Sequence, residues 1–593
     1  MSEDRRGGRR HDDSRRGRDD RGGRDDRRGR DARGRRDDRG GRDGGDHWDD
    51  RRGDRRDDRG GRRDDRGDRR DDRGGRRDDR RDRPRDAQGR ERSGSRGQGG
   101  PRRGWSSSRP SERSRASTPS RQVALEGLRL VREEDSYANL VLPRLLRSHR
   151  VSGRDAAFTT ELFYGSLRAQ GRLDAILAAC VDRPLEEVEP ALLDVLRLGA
   201  YQLLDMTVAP HAATSETVAL ARAEVGAGAA SFVNAVLRKV GQQDLEQWIA
   251  QVAPDREKDL VGHLAVVHSH PRWVVRALSD ALAGNGRSRE EIDALLAAQN
   301  EAPAVSLVMR PGLTDLDELI DHGASQGRLS IFAASWPSGD PGGMDPVKEG
   351  RVAVQDEGSQ LAALALALGA DDLVQADDAH WLDLCAGPGG KTALLGGLSI
   401  THDAELLAVE LQEHRTELVD RAVATLQDAG CVITTRTADG TTIGAEMPGR
   451  FSRVLADVPC SGLGALRRRP EARWRRTPAD VGQLGGIQRD LLASALDAAA
   501  PGGVVAYVTC SPHLAETRLI VADVLKKRED IEQLDARDAV RAGVLPSQQK
   551  DIELGEGPAV QLWPHLHGTD AMYISLLRKR TQSAPTQEGP RTA

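Results

Sequence analysis

Two cysteines stand where this chain could use them as nucleophiles. Cys460 and Cys510 lie in VLADVPCSGLG (454–464) and VVAYVTCSP (504–512), each at the end of an apolar run typical of a β-strand. A single cysteine is most often a small buried hydrophobic residue, yet thiolates are also the strongest side-chain nucleophiles near neutral pH. Two cysteines at strand ends therefore indicate covalent chemistry if a ligand-binding loop lies beside them.

Such a loop is predicted by LDLCAGPGGKT (382–392), a strand-like run followed by a glycine-rich turn into a helix. Gly387, Gly389 and Gly390 let the backbone approach a ligand closely, and the N-terminus of the helix favours polar or anionic groups. The segment is not a Walker A loop, because Cys385 stands where that pattern needs its first glycine. It also differs from the G-x-G-x-x-G dinucleotide motif.

Two acidic residues that follow the next strand-like runs extend this predicted site. Glu410 ends ELLAVEL, 23 residues after Gly387, where a carboxylate can accept hydrogen bonds from a ribose diol. Asp439, after CVITTRT, is a weaker signal and suits an adenine amino group. Either acid alone is more often a solvated loop residue, but with the glycine-rich turn they predict a site for S-adenosylmethionine.

The elements that must position these residues follow from the hydrophobic pattern. From about residue 351, strand-like runs alternate with helical ones, which predicts a parallel sheet with helices on both faces. Ligands of such sheets bind beyond the carboxyl ends of the strands, where all of these segments fall. Residues 123–250 have helical spacing throughout and predict an all-helical domain. Residues 251–350 predict a helical linker and a small α/β subdomain.

The first 122 residues differ in composition from the rest of the 593-residue chain. They repeat variations of RRDDRGGRRDDR, contain no Leu, Ile, Val, Phe, Tyr or Cys, and carry 43 arginines against 29 acidic residues. Such a segment cannot bury a core. We therefore expect residues 1–122 to be a disordered Arg/Asp/Gly-rich tail, either a solubilising segment or an RNA tether. Residues 581–593 are expected to be a flexible C-terminus.

The remaining chain is acidic, with 47 basic against 65 acidic residues, so it would repel nucleic acid unless basic residues cluster locally. The run RRRPEARWRR (467–476) directly follows the first cysteine motif and is such a cluster. A solvated surface run is the alternative, but its position beside the proposed pocket favours RNA binding. The predicted RNA-binding residues are Arg467, Arg468, Arg469, Arg473, Trp474, Arg475 and Arg476.

Other features bear on compartment and cofactors. Five cysteines without a C-x-x-C pair, and an N-terminus rich in Arg and Asp, argue against a disulfide framework and against secretion. No apolar run reaches the roughly 18 residues of a membrane span. We expect a cytoplasmic protein with reduced thiols.

His565, His567 and Asp570 lack further ligands at suitable spacing, so no metal is predicted. The oligomeric state is not indicated.

Together, DLCAGPGGKT, DVPCSGLG and YVTCSP resemble the motifs of the Sun (Fmu) type of RNA cytosine-carbon-5 methyltransferases, whose bacterial members modify 16S ribosomal RNA. VQDEGSQLAALAL (354–366) is similar to that family's entry to the catalytic domain. Residues 123–240 resemble its NusB-type helical RNA-binding domain. The resemblance covers about 123–580, and it implies a NusB-like domain followed by a Rossmann-like class I methyltransferase domain (351–580).

The resemblance also implies roles for the residues above. Cys510 would be the thiolate that attacks carbon 6 of cytosine, and Cys460 would assist proton removal or product release. Asp457 would hydrogen-bond the base and border the cofactor, and Lys391 would contact the base on its carbonyl side. The target base must leave its stack, which favours single-stranded or loop RNA. The predicted cofactor-binding residues are Cys385, Ala386, Gly387, Pro388, Gly389, Gly390, Lys391, Glu410, Asp439 and Asp457.

Alternatives to this interpretation remain open on the sequence. The same reaction could act on transfer RNA or another RNA, because the motifs describe the pocket and not the RNA sequence that is read. In another class, the chain would be a non-catalytic RNA-binding or assembly protein with a relic methyltransferase fold, which the retained cysteine pair disfavours. Gly387, Glu410 and Val458 depart from the residues frequent in the family, which puts the ribose contact and local packing in question but removes no reacting group.

Overall fold

A computed structural model describes residues 118–134 and 136–581. Most of the predicted tail and of the predicted flexible C-terminus lies outside these residues. The exception at the N-terminal side is the segment 118–122, which belongs to the start of the first helix. No helix in the described part of the chain is both long and apolar enough to cross a membrane.

The predicted all-helical domain is confirmed. Its helices bury a continuous core of Leu, Val, Ile and Ala side chains. Pro119, Pro190 and Pro210 each open a helix, because proline lacks the N–H that would be unpaired in the first turn. The helices are α1 (Pro119–Glu133), α2 (Ala138–Ser148), α3 (Gly153–Arg168), α4 (Gln170–Cys180), α5 (Pro190–Leu204), α6 (Pro210–Glu224), α7 (Ala227–Val240) and α8 (Leu245–Val252).

The predicted linker and small α/β region are also present. Three helices come first: α9 (Leu260–Val267), α10 (Arg272–Gly284) and α11 (Ile292–Ala298). They precede an antiparallel sheet in the order β2-β3-β1-β4. Its elements are β1 (Val305–Met309), α12 (Leu316–Asp321), β2 (Ser325–Gln326), β3 (Ala333–Trp336), α13 (Asp345–Lys348) and β4 (Val352–Val354).

The C-terminal domain is a sheet covered by helices. Its helices are α14 (Glu357–Ala367), α15 (Gly390–Ser399), α16 (Glu413–Asp428), α17 (Gly440–Glu446), α18 (Ala472–Arg475), α19 (Pro478–Ala498), α20 (Arg518–Leu525), α21 (Arg537–Ala542) and α22 (Pro564–His567). Its strands are β5 (His380–Asp383), β6 (Glu405–Glu410), β7 (Ile433–Thr437), β8 (Phe451–Asp457), β9 (Ala499–Thr509), β10 (Ile531–Leu534), β11 (Val560–Gln561) and β12 (Tyr573–Lys579).

The sheet has the order β10-β12-β9-β8-β5-β6-β7, with β11 beside β12. The strands from β5 to β9 are parallel, as predicted. The sheet departs from the predicted parallel arrangement at one edge, because β12 runs antiparallel to both β9 and β10. The strand order reverses between β5 and β8, so the crevice of a doubly wound sheet opens where Asp383 and Asp457 end their strands.

Candidate active site

The glycine-rich turn occupies residues 384–389, between β5 and α15. Two backbone hydrogen bonds hold it, from Ala386 N–H to the Val409 carbonyl (2.9 Å) and from Gly389 N–H to the Ala386 carbonyl (2.7 Å). Gly389 has φ +101°, and a Cβ there would lie 2.6 Å from the Cβ of Ala422 on α16. A side chain is therefore excluded at the point where the turn enters the helix.

Glu410 lies beside this turn, but it is largely occupied by the protein. Its carboxylate accepts hydrogen bonds from the N–H of Gly387 (3.1 Å), the N–H of Gln412 (3.2 Å) and the guanidinium of Arg415 (3.2 Å). Arg415 also donates to the Gly387 carbonyl at 2.7 Å. Since a carboxylate offers about four lone-pair directions, little acceptor capacity is left for a ribose. The sequence analysis did not foresee Arg415.

Two further acids lie at the same edge of the sheet. Asp439 is exposed, and its carboxylate caps α17 by accepting the N–H of Thr441 at 2.9 Å. Asp383, which the sequence analysis passed over, ends β5; one of its oxygens accepts the Thr392 hydroxyl at 2.7 Å. Its other oxygen is buried without a partner among the described residues. Burial raises the pKa of Asp383 to about 7. The signal for Asp383 that the sequence offered was an acidic residue inside an apolar, strand-like run.

The two predicted reactive cysteines are neighbours. β8 and β9 pair in parallel with Asp457 opposite Val508, so the loops that follow them leave the sheet side by side. The sulfur atoms of Cys460 and Cys510 lie 3.3 Å apart, and both thiols are free and partly exposed. The N–H of Gly464 donates to the carbonyl of Cys510 at 2.9 Å, which ties one loop to the other.

This contact makes the two thiols unequal. The hydrogen bond from Cys460 lowers the pKa of Cys510 and outweighs the effect of burial. The same hydrogen bond raises the pKa of Cys460 well above its usual range, together with burial and the negative charges of Cys510, Glu516 and Asp457. Either sulfur could donate in this contact, and the opposite pKa shifts favour Cys460 as the donor and Cys510 as the more acidic thiol.

Lys391 and Asp457 form an ion pair next to the thiols. Lys391 is in the first turn of α15, and its ammonium group lies 2.7 Å from the carboxylate of Asp457 at the end of β8. Burial disfavours the charge on Lys391, but Asp457 outweighs burial and raises the pKa of the lysine. The lysine stays protonated, and the pair joins the glycine-rich turn to the first cysteine motif.

The basic run 467–476 does not form the free RNA-binding surface that the sequence predicts. Arg467 and Arg468 are both within 3.2 Å of the carboxylates of Asp356 and Asp570. The side chain of Arg467 is 9% exposed, and these four charges form a compact internal cluster. For Arg467 the prediction is wrong, because its donors are paired inside the protein.

The rest of the run packs against the N-terminal domains. Arg473 is fully buried and donates to the Asn300 side chain (2.8 Å) and to the Ser269 carbonyl (3.0 Å). Arg475 donates to the Ser136 carbonyl at 2.8 Å. For Arg473 the prediction of RNA contact is wrong, and for Arg475 these intramolecular contacts oppose it, because their donors face the protein.

Three residues of the run remain to be placed. Trp474 is half-buried against Gly171, where an added Cβ would lie 2.3 Å from the indole ring. Arg469 is exposed and lies over the ring of Tyr137, 4.9 Å from its centre. Arg476, at the end of the run, is half-buried. For Arg469 and Arg476 RNA binding remains a prediction. The run as a whole connects the C-terminal domain to the domains before it.

The histidines near the C-terminus have structural partners. His565 contacts Glu291 at 3.1 Å, and His567 accepts the N–H of Trp563 at 2.8 Å and donates to the Glu553 carbonyl at 2.8 Å. Within residues 118–134 and 136–581, no group of three His, Cys, Asp or Glu side chains has the arrangement of a metal site.

Comparison with known proteins decides the family. The model of the family "16S rRNA methyltransferase RsmB/F" matches residues 371–578, and that of the NusB family matches residues 118–242. A Mycobacterium tuberculosis protein named "Putative methyltransferase Rv1407" is 50% identical over 473 residues, which are 79% of this chain and 98% of the relative. The chain belongs to the RsmB/F family of 16S rRNA methyltransferases.

A second relative agrees with this assignment, and a solved structure shares the fold. The Bacillus subtilis "Probable ribosomal RNA small subunit methyltransferase B" is 30% identical over 471 residues, 78% of this chain and 99% of that protein. The crystal structure of the protein PH0851 superposes with a TM-score of 0.62 at 20% identity, over 78% of this chain and 98% of that one. That structural likeness shows the shared fold.

The cofactor of this RsmB/F methyltransferase is S-adenosylmethionine, as the sequence predicts. The residues present fit such a polar ligand. The glycine-rich turn offers close backbone approach at the N-terminus of α15, and the unpaired oxygen of Asp383 can accept a hydrogen bond there. Asp439 stands at the same edge with an exposed carboxylate. The groups that would hold the cofactor are thus the turn, Asp383 and Asp439, with Glu410 shaping the turn.

The buried arginine of the joint generates a stability prediction. Arg473→Ala should lower the free energy of unfolding by about 2–4 kcal/mol, because it leaves several buried carbonyl oxygens without a donor. Urea denaturation followed by tryptophan fluorescence measures the change. Arg476→Ala, at a half-buried position of the same run, is the matched control and should stay within about 0.5 kcal/mol of wild type. Equal stabilities for the two variants would refute the role of Arg473 as an internal joint.

The unequal thiols generate a prediction of reactivity. Iodoacetamide reacts with thiolates, so at pH 7 to 8 Cys510 should be alkylated about tenfold faster than Cys460 or more. The difference between the two alkylation rates should narrow as the pH rises, since Cys510 has the lower pKa and reaches full ionisation before Cys460 does. Quantitative mass spectrometry of the two cysteine peptides after short labelling measures both rates. Faster labelling of Cys460 across this pH range would show that the proton lies on the other sulfur.

Proposed function

We propose that the protein methylates carbon 5 of a cytosine in 16S ribosomal RNA through a covalent bond between Cys510 and the base. The observation that supports this most strongly is the 3.3 Å contact between the sulfur atoms of Cys460 and Cys510, next to the Lys391–Asp457 ion pair. Methylation at a ring nitrogen or a hydroxyl group needs no second thiol. A substrate in ribosomal RNA would place the enzyme in the cytoplasm.

The need for a nucleophile follows from the chemistry of cytosine. Carbon 5 is a poor nucleophile, but when the Cys510 thiolate forms a bond to carbon 6, electron density moves onto carbon 5. When bound, S-adenosylmethionine supplies an electrophilic methyl group for that carbon. Lys391 can donate to the base carbonyl oxygen, and Asp457 can accept from the N–H edge. Both contacts orient the ring over the thiolate and stabilise the charge that addition creates.

Cys460 is proposed as the base that completes the reaction. Before addition, its pKa is raised chiefly by the hydrogen bond to Cys510, then by burial and the charge of Cys510. Once Cys510 is bonded to carbon 6, that charge is gone, and the partly exposed Cys460 can release its proton to solvent more readily. The Cys460 thiolate then takes the proton from carbon 5, the bond between Cys510 and carbon 6 breaks, and Cys510 leaves as a thiolate.

Other substrates and a non-catalytic role are the alternatives to be tested. Transfer RNA is a possible substrate for the same pocket, because none of the residues described above reads an RNA sequence. A non-catalytic assembly protein would keep the helical domain but would not require two adjacent thiols. The basic tail outside the described residues fits either a tether for RNA or a solubilising segment, and both fit the proposed enzyme.

The first test concerns the nucleophile and the substrate. Wild-type protein with labelled S-adenosylmethionine and unmodified 16S RNA should produce 5-methylcytidine, which nucleoside mass spectrometry identifies. Cys510→Ala should reduce this rate by about a thousandfold or more with nearly unchanged cofactor binding. Cys431→Ala, which removes a cysteine outside the site, should retain wild-type activity. Transfer only to transfer RNA would reject the proposed substrate, and no transfer by wild type would favour the non-catalytic alternative.

The second test concerns the base. In Cys460→Ala, Cys510 should still add to the cytosine, though more slowly because its pKa is no longer lowered by Cys460, and carbon 5 should receive the methyl group. Release of the product should be slowed most, so a covalent complex of protein and RNA should accumulate. Denaturing gel electrophoresis should show a band of reduced mobility that is removed by ribonuclease and is absent from the Cys460→Ala, Cys510→Ala double variant. Free RNA as the sole product, released at the wild-type rate, would contradict this role of Cys460.

A further inference from the structure

Glu516 has no part in the motifs that the sequence analysis identified, yet it contacts both cysteine loops. It is fully buried at the end of a short turn, Leu514–Glu516, that follows β9. One carboxylate oxygen accepts the N–H of Ser461 at 2.7 Å. The other accepts the hydroxyl groups of Ser461 (2.5 Å) and Ser511 (2.7 Å). Ser461 directly follows Cys460, and Ser511 directly follows Cys510.

The carboxylate is itself fixed from two directions. Gln488 on α19 donates to Glu516 at 3.3 Å and to the carbonyl of Pro459 at 2.9 Å. The hydroxyl of Tyr507, on β9, donates to the backbone carbonyl of Glu516 at 2.8 Å. With four donors on the carboxylate, its lone pairs are essentially filled. Glu516 is therefore not available to exchange a proton with a substrate.

We propose that Glu516 is a positioning residue which, through Ser461 and Ser511, holds the Cys460 and Cys510 loops at the separation that lets their sulfurs share a proton. The two serine oxygens are 3.1 Å apart and the two sulfurs are 3.3 Å apart, so the serine pair and the cysteine pair have nearly the same spacing. The negative charge of Glu516 is also among the causes that raise the pKa of Cys460. The different roles of the two thiols in the reaction rest on the proposed function. The spacing of the two cysteine loops does not depend on it.

The test measures the spacing independently of methyl transfer. Phenylarsine oxide binds tightly only where two thiols can reach one arsenic atom, so wild type should bind one equivalent and Cys460→Ala should not. Glu516→Gln should weaken arsenical binding about tenfold or more. It should also lower kcat about 10- to 100-fold, with KM for RNA and Kd for S-adenosylmethionine within about threefold of wild type, because only the reacting sulfurs are displaced.

A second variant covers the case in which Glu516→Gln does not fold. Ser461→Ala combined with Ser511→Ala removes the two hydroxyl links and leaves the carboxylate with the backbone N–H of residue 461 and with Gln488, so it should weaken arsenical binding in the same direction. Ser575→Ala, a buried serine on β12, is the control and should bind the arsenical as wild type does. Wild-type arsenical affinity in the double serine variant would overturn the proposal. If the double serine variant loses arsenical binding but the wild type transfers no methyl group, the positioning role of Glu516 would be upheld and the enzymatic function would be rejected.

Discussion

The hydrogen bond between the sulfur atoms of Cys460 and Cys510 is the interaction on which the site depends. A thiol in an apolar pocket normally keeps its proton, because burial disfavours the thiolate. Here the two sulfurs are 3.3 Å apart, and their hydrogen bond lowers the pKa of Cys510 while it raises the pKa of Cys460. Under the proposed function, this arrangement makes one of two identical side chains the nucleophile and the other the later base. It works only while both loops keep their relative position.

The fold supplies that position at the reversal of strand order. β5 and β8 are neighbours in the sheet, but the chain continues from β5 towards one edge and from β8 towards the other. The glycine-rich turn after β5 and the first cysteine loop after β8 therefore face the same crevice, and β9 brings the second cysteine alongside. The Lys391–Asp457 ion pair then joins the turn to the first cysteine loop. Farther out, Arg473 secures the chain after that loop to the linker and helical domain. The glycine-rich turn, the two thiols and the N-terminal domains are thus linked through a continuous series of contacts.

Residue types and spacing predicted the parallel strands and the loops of the site, because apolar runs fix buried strands and glycine marks a close approach of the backbone. The antiparallel β12 was not predicted, since nothing local in its sequence states the direction of its partner. The arginine run misled for a related reason. Sequence shows that Arg467 and Arg473 are basic, but their acceptors come from residues more than 100 positions away. Asp383 was missed although an acid inside an apolar run was a signal, whereas Glu516 was missed because a single acid outside a motif gives no signal until its partners are known.

Cys510, and not Cys460, is proposed to bond to the base. The most direct test uses wild-type protein, S-adenosylmethionine and 16S RNA that carries 5-fluorocytidine. Fluorine at carbon 5 cannot leave as a proton would, so the bonded enzyme cannot eliminate the base. After digestion of protein and RNA, mass spectrometry should find the methylated fluoropyrimidine nucleotide on the peptide that contains Cys510. A nucleotide on the Cys460 peptide, or methylated RNA without any adduct, would contradict this account.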